Sequence, residues 1–368
     1  MSLKVYKSEK KDVVEAIAEI KDGLKDVSAK FIVFFSSSKF DPTSTAELFN
    51  NSFPNSETFG CTTSGEIVSG GMYKESIVAM AFEEDKVKNL KIEVLENLSS
   101  GINLELMLES YNSYFGDFRN LDIEKYYGLV LIDGMSGAEE VLMDSLGSQT
   151  NINIVGASAG DDLQFKATYV MHNGKAYGDA AVLAVVESGV DFDFIKTQSF
   201  NSTDKTLIPT KVNAKNREVI EFNNKPAAIA YSEALGVSVD EVSSLLMKHP
   251  VGLMVDGEPY VRSPQMILEN NSMKFYCNVS EGMELNILES TDIVEDTKAI
   301  LKSKTNGSNS ISGIVNFNCI LRTLELESLE KTDDYGKVFS NIPTVGFSTY
   351  GEEFIGHINQ TATMLVLK

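Results

Sequence analysis

The chain has 368 residues, 43% of them hydrophobic and 23% charged, and a net charge of −21. That is long enough for two domains with their own cores and is the composition of a folded protein, not a disordered one. So acidic a chain repels nucleic acid and anionic membranes, and no apolar run reaches the roughly 20 residues that span a bilayer. Three cysteines, Cys61, Cys277 and Cys319, are too few and too odd for a disulfide framework. Together with the polar stretch Lys4 to Lys11, which offers no secretory leader, they point to a cytoplasmic protein.

The continuous apolar run Phe31-Ile32-Val33-Phe34-Phe35 predicts a buried strand. Asp41-Pro42 supplies an N-cap and a first-turn proline for a helix carrying Leu48 and Phe49. Another strand is predicted over Ser76 to Phe82. The order then recurs. Gly128 to Ile132 is apolar, Ser136 with Glu139 reads as a capping box for a helix ending near Gly147, and Ile152 to Val155 follows as a strand. Thr168 to Met171 and Ala180 to Val186 read as strands about the turn His172-Asn173-Gly174. Strand, helix, strand, loop, strand thus occurs twice, an internal duplication.

Asn201 to Thr210 is polar and marks a change of pattern, so the expected domains are 1–205 and 206–368. Beyond it lie a helix from Pro226 to Gly236 and a second opened by a Ser238/Glu241 capping box. Strands are predicted around Val251 to Met254, Lys274 to Val279 and Glu284 to Leu288. Asp292 and Glu295 start a helix, Ser303 to Ser310 reads as an exposed loop, and Ile311 to Phe317 as a strand. Asn318 is expected to cap a helix carrying Leu321 and Leu324, and Asn359 to Leu367 alternates as a closing strand. The fold class is mixed α/β, with parallel and antiparallel strands flanked by helices.

A short pattern punctuates this order. Gly60-Cys61-Thr62-Thr63-Ser64-Gly65-Glu66 and Gly346-Phe347-Ser348-Thr349-Tyr350-Gly351-Glu352 share G-x-[ST]-T-x-G-E, and Gly156-Ala157-Ser158-Ala159-Gly160-Asp161-Asp162 is a looser relative. Glycine, hydroxyl and carboxylate groups on loops leaving strands suit a polar pocket. Cys319 at a helix start could be a nucleophile, as could Cys61, although a small buried packing role is preferred for both. Gly156 to Gly160 has G-x-S-x-G spacing but leads into a strand, not the helix that a nucleophile elbow requires. His172, His249 and His357 are scattered, so no metal is expected. Asp161-Asp162 could hold a cation through oxygen, and a polar turn explains the pair at least as well. No phosphate-binding glycine motif occurs, so no cofactor is expected. Arg262 and Arg322 carry planar forks that suit a carboxylate or a structural ion pair.

Taken together, these motifs resemble a known family. Phe59 to Ile67, Asp133-Gly134-Met135-Ser136-Gly137 and Gly156 to Asp162 look like the FIST N-terminal domain. Lys225-Pro226-Ala227, Val261-Arg262, Phe317-Asn318-Cys319 with Arg322, Gly346 to Glu352 and Asn359-Gln360-Thr361 look like the FIST C-terminal domain. Glu353-Phe354 departs from the common G-E-I ending. The name stands for F-box and intracellular signal transduction. The resemblance implies a sensory module that binds a small ligand, with amino acids among those proposed, and that signals through a separate output protein. The ligand is expected at Arg262, Asn318, Cys319, Arg322, Thr349, Tyr350, Glu352 and Asn359. A secondary set is Thr62, Thr63, Glu66, Asp133, Asp161 and Asp162. The alternative is a thiol-dependent hydrolase or transferase using Cys319 or Cys61.

Overall fold

A computed structural model describes residues 3–305, 311–354 and 356–368. The duplication continues into a third repeat. The first runs through strand Lys4–Ser8, helix Val13–Leu24, strand Ala29–Ser37, helix Pro42–Ser52 and strand Glu57–Thr63, then strands Glu66–Val68, Gly71–Tyr73 and Ile77–Glu83. The second repeats that order as Val87–Glu96, Glu105–Phe115, Tyr126–Ile132, Glu139–Gly147, Ile154–Ser158, Val170–His172, Lys175–Tyr177 and Ala180–Ser188. The third is Phe192–Gln198, Ile293–Thr305, Gly313–Cys319, the helices Ile320–Ser328 and Thr332–Lys337, then Thr344–Thr349, Glu352–Phe354, Gly356–Ile358 and Thr361–Leu367. Of the loop expected over Ser303 to Ser310, residues 303–305 end a helix and 306–310 lie outside the described residues.

Three six-stranded sheets result, and each mixes two repeats. Four strands of one repeat are completed by the short hairpin of another. Val170–His172 of the second repeat pairs with Glu57–Thr63 of the first. Glu352–Phe354 of the third pairs with Ile154–Ser158 of the second, and Glu66–Val68 of the first pairs with Thr344–Thr349 of the third. The exchange is therefore cyclic.

In each repeat the central strand pair is parallel, and the motif glycine lies at the same register point: Gly60 opposite Phe34, Gly156 opposite Val130, Gly346 opposite Asn316. An added Cβ would stand 2.4, 1.8 and 2.1 Å from the opposite carbonyl oxygen in the three repeats. Only glycine fits there.

Side chains alternate across these strands. Phe31, Val33 and Phe35, with Leu129, Leu131, Val315, Phe317 and Phe347, enter a core drawn from all three sheets. The intervening Ile32 and Phe34 pack on the first repeat's own helices, through Ile17, Ile20 and Phe49. Both faces are buried, which is why the run Phe31 to Phe35 is apolar without a break. Val130 and Ile132 do the same against Leu142, Met143 and Leu146.

Clustering of contacts divides the described chain into one unit of Met1–Thr197, Thr297–His357 and Ala362–Lys368, and another of Gln198–Asp296 with Ile358–Thr361. This division by packing differs in kind from a sequence boundary at 205/206: it groups the last strands with the first two repeats and makes the second unit an insertion within the third. In that second unit the polar stretch after Asn201 is strand Phe200–Leu207, paired with Leu285–Ser290. Its core holds Leu207, Phe222, Tyr231, Val242 and Phe275. Ser238 and Glu241 form the predicted capping box. Gln360 anchors the short returning segment by accepting from Ser263 Oγ at 2.7 Å and donating to the Met247 carbonyl at 2.8 Å.

Two expected caps are corrected. Ser136 does not cap its helix: the helix begins at Glu139, and the hydroxyl donates to the Asp133 carbonyl at 2.7 Å. Asn318 lies within a strand that ends at Cys319, and Cys319 holds the N-cap position of the following helix.

Because the motif glycine faces a fixed backbone oxygen, Gly346→Ala is expected to destabilise the protein by about 3 kcal/mol or to prevent folding. Urea denaturation followed by circular dichroism checks this.

Candidate functional site

The three loops meet in a ring of backbone hydrogen bonds. Gly160 N–H donates to the Thr62 carbonyl at 3.0 Å, Tyr350 N–H to that of Ser158 at 3.2 Å, and Ser64 N–H to that of Ser348 at 3.2 Å. The hydroxyl residues donate around the three repeats in the opposite sense: Thr62 N–H to the carbonyl of Tyr169, just past the second loop, Ser158 N–H to that of Gly351, and Ser348 N–H to that of Gly65, at 2.8 to 2.9 Å. The loops are thus one backbone assembly contributed by three distant stretches of chain.

Within the two full motifs the side chains repeat as well. Thr63 Oγ1 hydrogen-bonds Glu66 and Thr349 Oγ1 hydrogen-bonds Glu352. Glu66 and Glu352 are fully buried. Glu66 Oε2 also accepts from the Ser76 amide at 3.1 Å and the Ser76 hydroxyl at 2.6 Å. Burial pushes Glu66 up to about 7, against the pull of those hydrogen bonds, and Asp162 adds to the rise. After the second copy, Glu353 Oε1 lies 3.0 Å from His357 Nδ1, both buried. Burial opposes charge on either partner. The carboxylate nevertheless raises His357 above its usual range.

The looser copy builds a strained loop. Asp162, Leu163 and Phe165 all adopt left-handed backbone, at φ of 55°, 61° and 51°. Each such non-glycine residue costs on the order of 1 kcal/mol or more. Asp161 holds the loop by accepting from the amides of Phe165, Lys166 and Ala167 at 2.7 to 3.1 Å. Tyr350 hydrogen-bonds Asp161, accepts from the Leu163 amide at 2.7 Å, and stacks on Phe165 with ring centroids 5.1 Å apart.

Beside this loop lies a cavity of about 470 Å³, lined by Lys39, Ser64, Lys74, Glu75, Asp162, Leu163, Ile320 and Leu324. That volume is within the range of small-molecule sites. Lys74 is tied to Glu327 at 2.7 Å and Glu75 to Lys11 at 2.9 Å. The Lys39 ammonium has no hydrogen-bond or ion-pair partner among the described residues. Asp162 Oδ2 accepts from Ser38 Oγ at 2.9 Å, and the Asp162 amide donates to Ser64 Oγ at 3.0 Å.

The expected residues are distributed as follows. Asn318 and Arg322 are together and buried: Arg322 Nε donates to Asn318 Oδ1 at 3.0 Å, Tyr335 OH donates to the same oxygen at 3.0 Å, and Arg322 Nη2 donates to Thr297 at 3.2 Å. This network pins the helix Ile320–Ser328 whose Ile320 and Leu324 face the cavity. Tyr350 is turned to Asp161 instead, so it does not share one pocket with Asn318 and Arg322. Asp133 is occupied with the Met135 amide at 3.0 Å and the Thr168 hydroxyl. Thr62 Oγ1 accepts from the Tyr169 amide at 3.0 Å. Arg262 and Asn359 belong to the second compact unit. There, Nε and Nη1 of Arg262 are buried with no hydrogen-bond partner. Cys61 and Cys319 are both buried, and burial holds the Cys61 thiol well above its usual range.

Sequence reasoning missed Lys39, Ser64, Lys74, Glu75, Leu163, Ile320 and Leu324. The available signal was position: Ser36-Ser37-Ser38-Lys39 leaves the carboxyl end of a parallel strand, where ligands gather in such sheets. Among the described residues, no group of three or more His, Cys, Asp or Glu is placed to hold a metal ion, and no helix is long and apolar enough to cross a membrane.

Residues 30–225 match the profile of the FIST N domain and residues 227–354 that of the FIST C domain. An uncharacterized protein of Methanocaldococcus jannaschii is 24% identical over 365 residues, covering 93% of this chain and 70% of that protein.

The raised Glu66 pKa has a thermodynamic consequence. A carboxyl whose folded value lies near 7 rather than 4.5 binds more protons folded than unfolded. Its contribution is complete below about pH 4.5 and is lost as pH rises through about 7, on the order of 3 kcal/mol. Glu66→Gln is expected to lose less stability than the parent between about pH 5 and about pH 8. Urea midpoints across that range measure the difference.

Proposed function

The chain belongs to the FIST family of sensory and signal-transduction domains, and from that premise we propose that it is a sensor for a small ligand bound in the cavity beside Lys39 and Asp162. The observation that carries this reading is one cavity lined by the Lys39 ammonium, which makes no hydrogen bond or ion pair among the described residues, by Asp162 and Ser64, and by an apolar wall. An amino acid meets both charges and the wall: its carboxylate pairs with Lys39, its ammonium with Asp162, and an aliphatic side chain packs on Leu163, Ile320 and Leu324. Strain in the loop 162–165 supports the same reading, since such backbone persists where a site over-determines it.

In this proposal Asp161 and Tyr350 position the loop, while Asn318 and Arg322 position the helix. Thr349 and Glu352 brace the second motif copy as Thr63 and Glu66 brace the first. Arg262, with Asn359, is a second candidate anion site, favoured by its buried Nε and Nη1 without hydrogen-bond partners. Signalling passes to a separate output protein in the cytoplasm. The thiol alternative has less support, because a buried Cys61 held as the thiol is a poor nucleophile and Cys319 is equally inaccessible.

A thermal-shift screen with the common amino acids tests the reading. At 100 times the dissociation constant the right one adds about 2.7 kcal/mol of stability. Lys39→Met is expected to weaken that response at least tenfold in apparent affinity while leaving the unliganded melting point nearly unchanged, because Lys39 is exposed and makes no ion pair. A response that survives both Lys39→Met and Asp162→Asn places the ligand elsewhere, with Arg262→Met the variant that then decides.

A further inference from the structure

Hydrogen-bond accounting around Glu66 allows two arrangements of a proton next to the cavity. Thr63 Oγ1 has two neighbours, the Ser36 carbonyl at 3.2 Å and Glu66 Oε1. A hydroxyl carries one proton and can give it to only one of them. If Thr63 donates to the Ser36 carbonyl, which can only accept, then Oε1 must carry a proton and donate it to Thr63. Glu66 Oε2 is free to accept the two Ser76 donors in that state. If Glu66 is ionised, the Thr63 hydroxyl turns from the carbonyl to the carboxylate. Protonation of Glu66 therefore sets the direction of a hydrogen bond on the residue next to Ser64, a cavity wall and a member of the loop ring. The other end of the arrangement is equally close, since Ser76 follows Lys74 and Glu75, both in the cavity wall.

The charged surroundings of Glu66 are few. Asp162, whose amide donates to Ser64 Oγ at 3.0 Å, is the carboxylate that acts on it, though far less than burial does, and the Cys61 thiol lies on the preceding strand. The strand Thr344–Thr349 pairs with its own strand, through Phe347 opposite Glu66, and brings no titratable group. The strand Gly71–Tyr73 brings Tyr73 opposite Glu66, and the Lys7 ammonium lies 3.8 Å from the centre of that ring, on the neighbouring strand Lys4–Ser8. The strand Ala29–Ser37 approaches with serines.

We propose that Glu66 is a proton switch for the cavity: it holds a proton more firmly while the cavity is empty and gives it up to solvent when a ligand's cationic group settles beside Asp162. The inference rests on the ligand reading given above and adds the regulation of that site. Neutralising Asp162 removes the like charge that disfavours ionised Glu66, so the O–H bond of Glu66 breaks, the electron pair stays on the carboxylate and the proton passes to water. Thr63 then reorients from Ser36 to Glu66. Binding becomes pH-dependent, and tighter as pH rises through the Glu66 titration, because a released proton opposes binding in acid.

Infrared difference spectroscopy of the full chain tests this through the carbonyl stretch of a buried protonated carboxyl. The parent is expected to show such a band that disappears as pH rises through about 7. Glu66→Gln loses the Glu66 part of that band, leaving any contribution of the buried Glu353, and Asp162→Asn, with no ligand added, shifts the titration of the Glu66 part to lower pH. L-leucine added at neutral pH bleaches the band in the parent and releases a fraction of a proton, read by an indicator dye, and does neither in Glu66→Gln. A band absent from the parent, a titration unmoved in Asp162→Asn, or L-leucine bound without proton release would each overturn the inference. If L-leucine does not bind, that ligand assignment fails on its own, and the Asp162→Asn titration still decides the role of Glu66.

Discussion

The packing of three backbones at one place governs this molecule. Each motif loop accepts at a carbonyl an amide of the next loop and donates an amide to a carbonyl of the previous one, and the strands that follow the loops are exchanged in the same direction. Any one such hydrogen bond contributes only about 1 kcal/mol net. Their closure into a cycle makes them mutually dependent, because no loop can shift without breaking its bonds to both neighbours. The constraint reaches the sequence through glycine: Gly60, Gly156 and Gly346 are each required where the parallel partner's carbonyl leaves no room for a Cβ.

On that fixed frame the repeats have diverged in what they bury. The first two pack Phe34 and Val130 outward onto helices, but the third has Asn316 at the equivalent register point. There a polar layer of Asn318, Arg322, Thr323 and Tyr335 replaces an apolar one, with Thr323 linked to Ser348 at 2.8 Å. Buried polar layers hold one geometry because every alternative strands a donor or acceptor. The helix they secure supplies part of the cavity wall, so this buried layer sets the shape of the cavity. The carboxylates divide in the same way. Asp133 and Asp161 are consumed in ordering turns, whereas Asp162 faces open volume.

Much of this was legible in the sequence, and the losses have physical causes. The apolar run at Phe31 to Phe35 announced a buried strand, and three of the motifs behind the family resemblance do form the ring. The third repeat was hidden by an insertion of about a hundred residues between its first strand and its helix, and by Asn replacing apolar residues on its central strand. The failed cap at Ser136 shows a hydroxyl taken by a nearer carbonyl, a competition that sequence spacing does not register. Residues of the site divide by the same logic. Motif positions such as Asp162 stood out, but Lys39, Ile320 and Leu324 lie outside every motif and reach the cavity only through the cyclic pairing of distant segments.

The account stands on one claim: that the volume bounded by Lys39, Ser64, Asp162 and Leu163 holds the ligand. Determining the structure of the protein crystallised with an amino acid that stabilises it tests that claim most directly. The account predicts the ligand in this volume, with its carboxylate toward Lys39 and its ammonium toward Asp162. Ligand found at Arg262 or any other place, with this cavity filled only by water, would contradict it.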